Sequence, residues 1–221
     1  MGLQSRMQSG YSIFEAQLDE TCKRYPHLHI KETSGRKFLR GTLDIKDSDG
    51  RVVQSFFVEI HYQQGFPFRF PRMFEIGGYI PDGADWHKYA DGSCCITAEP
   101  LEIIECANGI SVIEFIDKYA IPYFAHQVYR KEFGEYQKEY AHGAKGLRQA
   151  YRDIMGTDNV LCWWEYARIA FGYRSLRLKR KDNCPCGSGR KYKHCHMKIF
   201  ENLKKIGEEK FIEHISQLNM Q

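Results

Sequence analysis

The chain has 221 residues, of which 43% are hydrophobic and 27% are charged. This composition excludes disordered and fibrous proteins, and the length allows one large domain or a medium domain with a small one. No apolar run approaches the roughly 18 residues of a membrane-spanning helix, and the first residues lack the apolar core of a secretory signal. We therefore predict a cytoplasmic protein with no membrane segment.

The net charge of +4 is unevenly distributed, because residues 171–221 carry 12 Lys/Arg against 5 Asp/Glu. A basic tail on a mildly acidic body is typical of a surface that meets an acidic protein or nucleic acid. A solvated basic face has the same composition. Charge alone leaves both interpretations open.

The first half of the chain predicts one helix followed by strands. Ile13, Phe14, Leu18 and Cys22 share one helical stripe within residues 11–24. Alternating apolar residues then predict strands over residues 27–30, 36–46, 52–62 and 73–80. Short connections between these segments indicate an α+β fold with a four-stranded antiparallel meander packed on the helix.

The second half predicts a long loop and then helices. Residues 81–100 are irregular and rich in Gly, Asp and Cys, and long ordered loops tend to be functional. Helical periodicity predicts helices over residues 111–133, 146–155 and 159–171, with Pro122 expected to kink or break the first. The basic stretch Arg174 to Lys181 reads as a linker to a small terminal module.

A Cys/His motif with metal-ligand spacing lies near the end of the chain. Two cysteines one residue apart are followed, after eight intervening residues, by a Cys-His pair: Cys184, Cys186, Cys195 and His196. Three sulfurs and one nitrogen form a tetrahedral ligand set for structural Zn²⁺, which would stabilise a segment too short to fold by apolar burial. Chance clustering and a redox pair are the alternatives. The segment resembles the SEC-C zinc motif of bacterial translocation ATPases, which implies a small, non-catalytic docking module.

A second group of reactive residues lies in the irregular loop. Cys94 and Cys95 are adjacent in a polar, Gly-rich setting, and His87 precedes Cys95 by eight positions. A thiolate with a nearby imidazole has the ingredients of nucleophilic catalysis. The alternative is a buried cysteine pair with a surface histidine.

The order of the elements resembles the ubiquitin-conjugating enzyme fold. The family's Tyr-Pro-Phe-x-Pro-Pro segment corresponds to residues 66–71, with Phe66 in place of Tyr and Phe70 in place of Pro. Its Gly-x-Ile-Cys-Leu segment is in register with residues 92–96. The resemblance implies that Cys95 is the nucleophile, while alternation along an extended chain would turn Cys94 inward.

One departure from the family concerns the residue that stabilises the negative oxygen formed when an acyl group is transferred. The family's Asn eight residues before the cysteine is replaced by His87. An imidazole can donate a hydrogen bond as an amide does, and it can also exchange a proton near neutral pH. The resemblance therefore implies a catalytic role for His87, and simple packing is the alternative.

The resemblance covers about residues 1–140 and implies an acyltransferase. Such an enzyme carries a protein C-terminus as a thioester on Cys95 and passes it to a lysine of a target protein. Activation of that C-terminus comes either from a separate activating enzyme, as a further partner, or from another route. A histidine in place of Asn and a fused SEC-C motif resemble bacterial members of the family. Some of these belong to antiphage operons of the CBASS type and conjugate the C-terminus of a cyclic-oligonucleotide synthase, and others serve ubiquitin-like modifiers.

We accordingly divide the chain into a ubiquitin-conjugating-like domain (residues 1–140), a helical extension with the basic linker (141–180), and a zinc module with a terminal helix (181–221). Two other functions fit the sequence: a non-catalytic binding module of the same fold, and a zinc-dependent nucleic-acid binder. Nucleic acid is the less favoured partner because the basic linker lacks regularly spaced aromatic residues for base stacking.

Overall fold

The structure, a computed structural model, describes residues 10–136, 140–173 and 177–218. The chain folds into two compact units. The first comprises Met1–Thr97 and Glu105–Glu139, and the second comprises Ala98–Ile104 and Tyr140–Gln221. The three domains drawn from the sequence stay predictions, and the start of the basic linker, residues 174–176, lies outside the described residues.

The first unit begins with the expected helix. Residues 10–16 are helical, a turn follows at Gln17, and α1 (Leu18–Arg24) continues to the end of the segment. Phe14 and Leu18 are buried in the core of this unit. Cys22 packs against the same core, whereas Ile13 is 42% exposed, so the predicted apolar stripe is confirmed except at Ile13.

Four strands form one antiparallel sheet in the order β1-β2-β3-β4. Their bounds are β1 (Leu28–Thr33), β2 (Arg36–Lys46), β3 (Val52–His61) and β4 (Arg72–Glu75). Leu39, Leu43 and Ile45 of β2 face the core together with Phe56 and Ile60 of β3. The predicted α+β class and the four-stranded antiparallel meander are thus confirmed.

The last strand is shorter than predicted, because a buried carboxylate diverts the chain. Glu75 accepts hydrogen bonds from the backbone N–H groups of Gly77 at 2.8 Å, Tyr79 at 3.3 Å and Ile80 at 3.1 Å. These donors are therefore satisfied by a side chain rather than by a neighbouring strand. The prediction of a strand through residue 80 was wrong for this reason.

The helices of the first unit also differ in detail from the prediction. A single 3-10 turn (Ala84–Trp86) lies in the irregular loop. The helical segment predicted over residues 111–133 consists of α3 (Val112–Phe115), a π turn (Ile116–Ala120) and α4 (Ile121–Phe133). Pro122 lies in the first turn of α4, directly after the π turn. A π turn widens the hydrogen-bond spacing, which accommodates a residue without an N–H group.

The second unit is helical and contains more helices than the sequence predicted. Helix α2 (Glu99–Cys106) begins inside the segment read as irregular, and residues 98–104 are assigned to this unit. Helices α5 (Gly143–Met155) and α6 (Val160–Ala170) were predicted, whereas the single terminal helix that was predicted is two helices, α7 (Met197–Ile206) and α8 (Glu208–Leu218). In the described part of the chain, no helix combines the length and apolar character needed to cross a bilayer.

The core of the second unit is aromatic at its centre. Trp163, Tyr151 and Phe211 are fully buried. The indole N–H of Trp163 donates to the carbonyl of Thr157 at 2.8 Å, so its polar atom is satisfied. Trp163 therefore belongs to the core, whereas the adjacent Trp164 is partly exposed.

Candidate functional site

The backbone brings His87 and Cys95 together in the first unit. Lys88 pairs with Cys94 in an isolated antiparallel bridge, so the preceding His87 lies opposite the following Cys95. The N–H of Cys95 donates to the carbonyl of His87 at 2.7 Å, and the N–H of Cys94 donates to Met73 of β4 at 2.8 Å. The loop that carries both predicted site residues is thereby anchored to the sheet.

The two adjacent cysteines have different environments. Cys94 is 6% exposed and belongs to the core of the first unit, whereas Cys95 is only half-buried. Burial raises the pKa of the Cys94 thiol to about 12, which keeps it protonated at neutral pH. Cys95 is therefore the member of this pair that solvent can reach.

His87 has a left-handed backbone conformation, with φ 51° and ψ 45°. Such a conformation is uncommon for a residue other than glycine, and it persists only where neighbours enforce it. The hydroxyl of Tyr123 in α4 donates to the carbonyl of His87 at 3.0 Å and lies 3.4 Å from that of Trp86. Tyr123 and the Cys95 N–H thus hold the two peptide groups that flank the α-carbon of His87.

Helix α4 contributes further residues that the sequence analysis missed. The buried Gln127 donates from Nε2 to the carbonyl of Trp86 at 3.2 Å and accepts from the Tyr136 hydroxyl at 3.0 Å. The Arg130 guanidinium lies 4.1 Å from the ring centre of Trp86 and 4.7 Å from that of Tyr136. Residues 123, 127 and 130 are spaced four and three apart, which places them on one helical face. This spacing is the signal that could have identified them.

A buried lysine fixes the other end of the loop. The ammonium group of Lys88 lies 2.8 Å from Oδ1 of Asp82 and donates to the carbonyl of Ile80 at 3.3 Å, although the lysine side chain is only 6% exposed. The hydrogen bond from Lys88 lowers the pKa of the Asp82 carboxyl. This ion pair ties the residue beside His87 to the segment that follows β4.

In the second unit, the four residues of the Cys/His motif converge. Their ligand atoms all lie within 4.8 Å of one another: Cys184, Cys186, Cys195 and His196. Nδ1 of His196 is 3.2 Å from Sγ of Cys184 and 3.1 Å from Sγ of Cys195. The Sγ atoms of Cys186 and Cys195 are 3.6 Å apart. Tetrahedral zinc with its usual bond lengths separates its ligand atoms by about 3.5–3.8 Å. The cluster is compatible with a zinc-binding site because shifts of a few tenths of an ångström to about 1 Å would bring its ligand atoms to these separations.

The second ring nitrogen of His196 has a partner of its own. Nε2 lies 2.8 Å from the hydroxyl of Tyr166 in α6. Metal-binding histidines use the nitrogen that faces away from the metal in this way, because the hydrogen bond fixes the ring orientation. Burial, with a smaller effect of Arg190, lowers the pKa of His196, which favours the neutral form that binds metals. Sequence reasoning did not find Tyr166, which lies 30 residues before its partner.

The turn between the ligand pairs supports thiolate formation. The Ser188 hydroxyl lies 3.2 Å from Sγ of Cys186, and hydrogen bonding to Ser188 lowers the pKa of that thiol to about 7. Gly187 and Gly189 have φ values of 76° and 71°, so the turn uses the left-handed region at both positions. The Arg190 guanidinium lies 3.6 Å from Sγ of Cys195. A metal with several thiolate ligands would thus find positive charge and hydrogen-bond donors beside it.

Comparison with known proteins identifies the terminal motif. Residues 180–198 match the SEC-C motif family model. A 26-residue segment is 62% identical to the protein translocase subunit SecA of Verminephrobacter eiseniae (strain EF01-2), covering 12% of this chain and 3% of SecA. A 22-residue segment is 64% identical to SecA of Ehrlichia ruminantium (strain Welgevonden), covering 10% of this chain and 2% of SecA. The chain thus spans only a few per cent of these relatives, and no solved structure matches it.

Proposed function

We propose that this protein is a bacterial, ubiquitin-conjugating-like acyltransferase with a C-terminal SEC-C zinc module. The observation that carries the proposal is the backbone pairing that places a half-buried Cys95 opposite His87, with Cys94 directed into the core. The helix, the four-stranded antiparallel meander and the following helices have the order expected for a ubiquitin-conjugating fold.

The proposed reaction has two acyl transfers. In the first, the Cys95 thiolate attacks the activated C-terminal carbonyl of a donor protein, a C–S bond forms, and the leaving group departs with its electron pair. In the second, a lysine amine of the target attacks the thioester, a C–N bond forms, and Cys95 leaves as a thiolate. His87 stabilises the negative oxygen of the tetrahedral intermediate or accepts the proton of the amine.

The partners follow from the resemblance rather than from the site. The donor is a cyclic-oligonucleotide synthase of a CBASS antiphage system or a ubiquitin-like modifier, the acceptor is a lysine-bearing protein, and a separate enzyme supplies the activation. We further propose a cytoplasmic location.

The Cys/His cluster supports a structural role for Zn²⁺ in the second unit. Four protein ligands would close the coordination sphere, which leaves no position for a substrate or an activated water. Cys184, Cys186, Cys195 and His196 would hold the ion, and the bound ion would stabilise the turn between them. We propose that this module docks a partner.

The test uses a glycine-ending peptide supplied as a mercaptoethanesulfonate thioester, which replaces the unidentified donor. Wild type and Cys94→Ala should form an adduct that dithiothreitol removes, whereas Cys95→Ala should form none. Cys95→Ser should form an ester that resists dithiothreitol. Equal loss of loading in Cys94→Ala and Cys95→Ala, with both variants folded, would refute the assignment of Cys95.

The second arm of the test concerns the transfer to an amine. After Cys95 is loaded, free lysine is added and the loss of the thioester is timed. His87→Ala should slow this step about 100- to 1000-fold, the usual effect of removing one oxyanion donor, without preventing loading. His87→Asn should restore part of the rate, because an amide can donate the same hydrogen bond. Identical rates in all three proteins would show that His87 only packs.

A further inference from the structure

The imidazole of His87 packs against the ring of Tyr136. The two ring centres are 5.0 Å apart and the planes are inclined by 68°, which is an edge-to-face arrangement. Tyr136 lies beyond α4, which ends at Phe133 with Gly134 as its C-cap. The contact therefore joins the cysteine loop to a residue outside α4, whose position is not fixed by the hydrogen bonds of that helix.

Tyr136 is itself held in place from two sides. Its hydroxyl donates to Gln127, whose side chain is nearly inaccessible to solvent, since the residue is 1% exposed. The other end of the same amide donates to the Trp86 carbonyl, one residue before His87. The Arg130 guanidinium lies over the rings of both Trp86 and Tyr136. The amide and the guanidinium each connect Tyr136 to the residue that precedes His87.

The hydrogen bonds to the main chain of His87 do not determine the direction of its ring. Tyr123 and the Cys95 N–H both bind the carbonyl of His87, so they act on the backbone and not on the imidazole ring. A donor acts on a developing oxyanion only if it is aimed before the reaction begins. A contact with the ring itself is needed for that purpose, and Tyr136 provides one.

We infer that Tyr136, held by Gln127, is a positioning residue that fixes the orientation of the His87 imidazole beside Cys95. The consequence for the transfer rate rests on the proposed function, whereas the effect on the imidazole does not. Tyr136 acts through His87 and does not contact the reacting atoms in this assignment. The matched control is Tyr129, an aromatic residue of α4 that packs on Phe133 instead.

The experiment reads the imidazole directly. The protein is labelled with ¹³C,¹⁵N-histidine, and His87→Ala assigns the His87 signal among the 9 histidines. Loss of a neighbouring aromatic ring shifts these resonances by itself, so the orientation is read from the three-bond couplings of the His87 β-protons, which report the χ1 angle. Tyr136→Leu should change these couplings as well as the ring resonances, while Tyr129→Leu should leave both in place. The same variants are then loaded with the peptide thioester, and the loss of the thioester to free lysine is timed.

Tyr136→Leu should load normally and should transfer about 10- to 100-fold more slowly than wild type, as expected for a misplaced catalytic group. Tyr136→Phe keeps the ring and loses the bond to Gln127, so it should recover most of the rate and show a smaller shift. If Tyr136→Leu does not fold, the test is the smaller change of the His87 signals in Tyr136→Phe.

Unchanged His87 couplings in the folded variants would overturn the inference, and so would a change of these couplings accompanied by transfer at the wild-type rate. If Cys95 forms no thioester in any protein, the proposed function fails, and the His87 couplings alone decide whether Tyr136 orients the ring. A change of these couplings in Tyr136→Leu that is absent in Tyr129→Leu would then still support the positioning role.

Discussion

Removal of one hydroxyl group in α6 should weaken zinc binding without removing a ligand. In Tyr166→Phe, Nε2 of His196 loses the partner that lies 2.8 Å away, while the three cysteines keep their positions. The imidazole can then rotate about its bonds and loses the hydrogen bond that raises its basicity as a ligand. Because His196 is half-buried, water replaces the tyrosine hydroxyl only in part.

The expected loss of zinc affinity is about 10- to 100-fold, the usual range for the partner of a metal-bound histidine. This corresponds to about 1.4–2.7 kcal/mol of binding free energy. The measurement is a competition for zinc between the protein and a chromophoric chelator at fixed pH. Cys184→Ser, which removes a ligand, should bind far more weakly than Tyr166→Phe.

The control is Tyr173→Phe. The Tyr173 hydroxyl is hydrogen-bonded to Glu208, which is not part of the Cys/His cluster. Its zinc affinity should equal that of wild type. Equal affinities for Tyr166→Phe and Tyr173→Phe would refute the argument that Tyr166 orients a metal-binding imidazole.

Two further predictions concern stability. Cys94→Ala should lower the free energy of unfolding by about 1–2 kcal/mol, because it leaves a small cavity in the core, while the alkylation rate of Cys95 stays unchanged. The measurement is a denaturant titration, with the half-buried Cys162→Ala as the control. Equal losses of stability in the two variants would contradict the prediction. The hydrogen bond with His214 is the main cause that lowers the pKa of Glu99 to about 2, so the ionised carboxyl stabilises the fold above pH 4.5 and this contribution is lost as the pH falls toward 2. Between pH 5 and pH 2, the free energy of unfolding of wild type should therefore fall by about 1–2 kcal/mol more than that of Glu99→Gln. This figure is reduced because the carboxylate is about one-third exposed to solvent. Parallel curves of unfolding free energy against pH for the two proteins would contradict the assignment.

Sequence patterns predicted the helices and strands that bury one face in a hydrophobic core and expose the other. Strand β2 occupies the predicted residues 36–46, since its alternation reflects burial on one side. The end of β4 was wrong because the Glu75 side chain captures backbone donors, and an alternation pattern contains no information on such a contact. Helix α2 was missed because residues 81–100 were read as irregular up to Pro100, although proline fits the first turn of a helix.

The candidate site shows the same division. The ligands of the Cys/His cluster follow from spacing, because a short turn brings nearby residues together. The residue types suggested that His87 and Cys95 act together, but their register came from a resemblance. In the structure, a backbone hydrogen bond joins the two residues. Gln127 and Tyr136 were not predicted at all, since their importance depends on which loop lies against α4.

The assignment of residues 98–104 to the second unit affects how any truncation of this protein must be interpreted. Ile104 is buried in the core of the second unit, and Leu101 and Ile103 pack against that core. A shortened chain that ends near residue 139 would keep these three side chains and lose the residues that cover them. Because the segment begins three residues after Cys95 in the sequence, loss of reactivity in such a chain would report the uncovered apolar side chains of residues 98–104 as much as the absence of the zinc module. Point substitutions at the zinc ligands, with the full chain retained, separate these two effects.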